Sequence, residues 1–72
     1  MAAINGFINL VIEGNAKEIE KTLGSSDFIE RCQLVQMVID SKLSTNLLNL
    51  SLKFEQIGLR RSIQKYLVER GI

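Results

Sequence analysis

The chain contains no histidine, no tryptophan, no proline and a single cysteine, Cys32. Each of these absences excludes something. Without histidine, no side chain has an ordinary pKa near neutrality, so acid–base catalysis would need a carboxylate or lysine shifted by burial and neighbours. The acidic residues fall instead at helix starts and on solvated faces. No catalytic residue is assigned, and the chain reads as a non-enzyme. One thiol cannot close an internal disulfide, and without histidine no Cys/His zinc set can be assembled, so neither a metal site nor a cofactor is expected. Gly6, Gly14, Gly24, Gly58 and Gly71 stand alone, and none belongs to a Gly-x-Gly-x-x-Gly or Walker pattern. No run approaches the roughly 18 consecutive apolar residues of a membrane span. The start Met1-Ala2-Ala3-Ile4-Asn5-Gly6-Phe7 lacks the basic region of a signal peptide, and Ala2 stands where myristoylation needs glycine. With a lone cysteine suited to a reducing compartment, the expectation is a cytoplasmic protein without membrane contact.

What the chain has is apolar side chains, 46% of only 72 residues. A domain of this length buries about 60% of the surface its unfolded chain exposes. Its core rarely supplies more than about 3–5 kcal/mol without a disulfide, a metal or a partner subunit. Residues 1–72 therefore read as one domain with more apolar surface than one core can absorb. The net charge is +1, unevenly spread: residues 1–30 carry five acidic against two basic side chains, and residues 31–72 carry seven basic against three acidic. An acidic half and a basic half suit association between chains or an anionic partner for the second half.

Glycines and cap residues divide the chain into five helix-sized pieces, an all-α bundle or stack whose third helix, about 28–41, is expected to be central. Residues 2–13 place Ile4, Phe7, Ile8, Leu10, Val11 and Ile12 around most of a helix that Gly6 weakens by about 1 kcal/mol relative to alanine. Asn15 with Glu18 has capping-box spacing and opens a helix over Ala16–Leu23, with Ala16, Ile19 and Leu23 on one face and Gly24 as a left-handed stop. Asp27 with Glu30 repeats the cap before the third helix, where Phe28, Cys32, Val35 and Ile39 form one stripe and Leu34 and Val38 a second. Cys32, on that stripe, reads as a small core hydrophobe. Ser44 or Thr45 caps a fourth segment to about Ile57. Its stretch 48–54 alternates like a strand, but Leu43, Leu47, Leu50, Phe54 and Ile57 also form a helical stripe, and leucine favours the helix. Gly58 is expected to break the chain before the last helix, 59–70, with Leu59, Ile63, Tyr66 and Leu67 inward and Gly71 as its stop.

Gly14–Leu23 and Gly58–Ile72 each resemble the second helix of an ankyrin repeat. The two glycines are 44 residues apart, the family period is about 33, and no Thr-Pro-Leu-His stretch is present, so no repeat array is read from them.

The function expected is a non-enzymatic protein–protein interaction module, a small adaptor, inhibitor or chaperone-like subunit. Its partner would be another protein chain, including a second copy in a homo-oligomer. The contact candidates are Phe7, Ile8 and Val11 on the first helix, Leu34 and Met37 on the third, and Leu48 and Leu52 on the fourth. The alternative is a small nucleic-acid-binding regulator that meets phosphates with Arg60, Arg61, Lys65 and Arg70 of the last helix.

Overall fold

The computed structural model describes residues 2–70, and their side chains from Gly6 onward. Five helices follow one another: α1 (Ala2–Glu13), α2 (Ala16–Ser25), α3 (Phe28–Asp40), α4 (Ser44–Ser51) and α5 (Ile57–Arg70). Among the described residues there is no strand, so the alternating stretch 48–54 is not one. The chain is the all-α globule its periodicity implies, with principal extents of 28 × 23 × 23 Å. No described helix is long and apolar enough to cross a membrane. The expectations for Ile4 and Gly71 lie outside the residues whose side chains are described.

Two of the connections are the same device. Helix α1 ends with Gly14 at φ +79°, while Gly14 N–H donates to Val11 O and Asn15 N–H to Leu10 O. Helix α3 ends with Lys42 at φ +63°, while Lys42 N–H donates to Ile39 O and Leu43 N–H to Val38 O. Both are Schellman closures, in which a left-handed residue lets two amides satisfy the last free carbonyls. In each, the following residue is at once the N-cap of the next helix. Asn15 performs that task with its side chain, accepting from Glu18 N–H at 3.2 Å. Its own N–H is committed to Leu10 O, so Glu18 does not complete the expected box. Leu43 has no polar atom to offer, and α4 begins without a side-chain cap. The N-cap of α4 is thus neither Ser44 nor Thr45, which are its first two helical residues.

Asp27 and Glu30 do form a full capping box, at 2.8 and 3.2 Å. Helix α2 runs two residues beyond Leu23, and Gly24 is helical and not left-handed. Its lack of a side chain serves the Gln56 amide, which would lie 3.3 Å from a Cβ there. The Arg31 guanidinium closes the end of α2 by donating to Leu23 O and Ser26 O.

The core comprises Phe7, Val11, Ile19, Leu23, Val35, Val38, Leu47, Leu50, Phe54, Leu59, Ile63 and Leu67. Every helix contributes, but α4 packs against all four others, whereas α3, expected at the centre, packs chiefly on α1, α4 and α5. Helix α4 carries no charged residue, as its position requires. Its buried Ser51 hydroxyl is satisfied locally by Leu48 O.

Helix α4 stops at Ser51 and does not continue to Ile57. The amides of Leu52, Lys53 and Phe54 donate three residues back, to Asn49, Leu50 and Ser51. This tighter winding turns Phe54 into the core and ends the helix without glycine or proline. Gly58 consequently lies inside the first turn of α5. The start of α5 is fixed from another helix: Glu20 of α2 accepts the Gln56 N–H at 2.8 Å, placing a carboxylate at the positive end of α5.

Candidate functional site

The expected contact residues divide by burial. Phe7 and Val11 are each only 1% exposed and belong to the core. They lie on the face of α1 that meets the rest of the bundle, so neither offers surface to a partner while the domain is folded. Ile8, Leu34 and Leu48 are half-buried against that core, and Met37 is half-buried on the flank of α3. Of the seven, only Leu52 is well exposed, at 60%. It sits just past α4, where the chain begins its tight turn.

Among the described residues, the most exposed large apolar side chains are two neighbours, Phe28, which the period places on the inward stripe of α3, and Ile29, which lies on neither stripe. Phe28 is 76% exposed and Ile29 is 67% exposed. Phe28 belongs to the α3 stripe by period but is the first residue of the helix, and the core is filled by Val35 and Val38, two to three turns further on. Phe28 therefore overhangs the edge of the bundle. Between α3 and α5 it borders a narrow cleft of about 30 Å³, shared with Arg31, Cys32, Val35, Ser62, Ile63 and Tyr66. Cys32 is half-buried in that wall and not sealed in the core. The signal available in the sequence was position: a large apolar residue directly after an N-cap has no preceding turn to cover it.

Among the described residues, Ile12, Ile57 and Val68 are the other exposed large apolar side chains. Ile57 and Val68 are eleven positions apart on α5, which puts them about 20° from each other around the helix. Ile12 borders a shallow depression between α1 and α4 with Asn46 and Asn49.

The four cations expected to meet nucleic acid do not share one face. At about 100° per residue, Arg61 and Lys65 stand together on the solvent side of α5, while Arg60 and Arg70 lie toward other flanks. Arg60 is half-buried. Arg70 stacks on the Tyr66 ring, 4.8 Å from its centroid, and the Tyr66 hydroxyl donates to Gln36 at 3.3 Å. Arg70 also borders an open depression of about 380 Å³ at the start of α4, with Ile39, Lys42, Ser44 and Thr45.

Among the described residues, no group of three or more histidine, cysteine, aspartate or glutamate side chains could hold a metal ion. In the comparisons with known proteins, no family model, curated protein or solved structure matches this chain.

Proposed function

We propose that this chain is a non-enzymatic protein-interaction module that associates with a second copy of itself through the Phe28–Ile29 edge of α3. The observation that carries the reading is the exposure of two adjacent large apolar residues beside the α3–α5 cleft, on a domain whose core is otherwise closed. Covering one such side chain is worth about 1.5–3 kcal/mol, and aromatic anchors beside a cleft are the usual centres of protein contacts. A second copy is the favoured occupant because the net charge of +1 sets little repulsion between copies.

Light scattering over a concentration series tests this. A dimer that the double substitution Phe28→Ser with Ile29→Ser converts to a folded monomer supports the proposal. A wild-type chain that stays monomeric throughout, or a double variant that associates unchanged, overturns it. These positions suit the test because neither substitution hollows the core, whereas a charge at Val11 would test folding. The nucleic-acid reading ranks second, because only Arg61 and Lys65 can approach one phosphate strand together.

A further inference from the structure

We propose that the start of α4 is a binding site for a phosphate group, formed by the first-turn amides of α4, the Ser44 hydroxyl, Lys42 and Arg70. The first amide of α4 bonded within its own helix is that of Leu47, to Leu43 O at 3.0 Å. The amides of Ser44, Thr45 and Asn46 precede it, and the N-cap residue Leu43 has no side-chain acceptor for them. At a helix start such amides converge on one point and carry the positive end of the helix dipole. The equivalent position after α1 is filled by Asn15, whose carboxamide occupies the place of a ligand. After α3 no side chain among the described residues fills that place.

A second observation is independent of the helix end. Ser44 is only 7% exposed, it borders the depression, and its hydroxyl makes no hydrogen bond to another described residue. No buried side-chain oxygen or nitrogen among the described residues is sealed off without a partner. The Ser44 hydroxyl therefore reaches its free space on the side of the depression. A nearly buried hydroxyl with an unused donor, facing an open polar hollow, is satisfied by a ligand or solvent there.

Charge gives the class of ligand. Lys42 and Arg70 border the same hollow. Neither of the acids nearest in sequence borders the hollow: Asp40 has one carboxylate oxygen engaged by Gln36 at 3.1 Å, and Glu69, next to Arg70, is exposed. Two cations and a helix start balance a dianion better than a monoanion, which favours free orthophosphate or a phosphomonoester over a phosphodiester. Arg70 is held for the role by its stacking on Tyr66, itself tied to Gln36.

The test is an amide NMR titration of the full chain with orthophosphate, phosphoserine and chloride at matched ionic strength. The proposal requires saturable shifts at Ser44, Thr45 and Asn46 with one or both phosphates. Tighter binding of orthophosphate identifies the free anion as the ligand, and tighter binding of phosphoserine identifies the ester. Arg70→Gln and Ser44→Ala should each weaken binding about three- to tenfold. Because the Ser44 hydroxyl has no hydrogen-bond partner among the described residues, Ser44→Ala should leave the unfolding midpoint unchanged, which separates a ligand role from a structural one. Equal shifts with chloride, saturation at other amides, or wild-type titration by both variants overturns the site.

Discussion

Lys42 occupies a position built for glycine, and replacing it should make the protein more stable. Its φ of +63° costs a residue with a Cβ about 1–2 kcal/mol. Its side chain is exposed, so Lys42→Gly removes no packing. Glycine also loosens the unfolded chain, which takes back about 0.4–1 kcal/mol. The net gain is about 0.5–1 kcal/mol, or a rise of about 2–8 °C in Tm for a domain of this size. The matching closure after α1 provides the reverse experiment. A Cβ on Gly14 would meet only Leu50 Cδ2, at 4.0 Å, which is ordinary contact, so Gly14→Lys incurs the backbone cost with little steric addition. It should destabilise by a similar amount, and the chain carrying both exchanges should return near the wild-type value. Thermal and urea unfolding followed by circular dichroism measure all three. If Lys42→Gly is no more stable than wild type while Gly14→Lys is harmless, the left-handed closures do not govern these turns in solution. The same Lys42→Gly chain should bind phosphate less tightly, so stability and binding would move in opposite directions.

Other substitutions probe the remaining links. Leu47 is fully buried in the helix that touches all the others, and Leu47→Ala should cost about 2–5 kcal/mol, enough to leave much of the chain unfolded by circular dichroism at room temperature. Gly6 is exposed inside α1, and a Cβ added there would meet nothing within 4 Å. Gly6→Ala should therefore raise stability by about 0.5–1 kcal/mol in urea unfolding. Glu20→Gln keeps an acceptor for Gln56 N–H but removes the charge at the start of α5. It should lower stability by about 0.3–1 kcal/mol at low salt, with the difference shrinking as salt is added.

The five helices and their inward faces are legible in the sequence because local rules govern them. Asn15 and Asp27 cap where their spacing implies, Ile19 with Leu23 and Ile63 with Leu67 face the core, and Arg61 with Lys65 face water. What escapes depends on distant residues. The start of α5 is held by Glu20, 36 positions away from Gln56, and nothing near Gln56 announces it. Gly24 has the spacing of a helix stop that works by its φ, but it is helical, and its missing side chain leaves room for the Gln56 amide arriving from across the molecule. The surface is the least legible part. Periodicity ranks the sides of a helix, but it does not say which turn overhangs the edge. It therefore puts Phe28 inside and leaves Phe7 and Val11 free for a contact, the reverse of their places in the fold. The open start of α4 is readable in principle, since Leu43 stands where Asn15 stands after α1. Recognising it requires seeing that both turns close in the same way.

The central place of α4 has a consequence for how the molecule comes apart. This eight-residue, charge-free helix is too short to persist alone in water, yet each of the other four rests on it. Its loss removes Leu47 and Leu50 from the interior the other four share, and it cannot hold its own shape once they leave. Unfolding should therefore proceed as a single all-or-none event, with slow amide exchange reporting the same opening free energy from Val11 in α1 to Leu67 in α5. Cleaving the chain within 52–56 would then not yield two partly ordered fragments. Each half would be a disordered chain until the two met again.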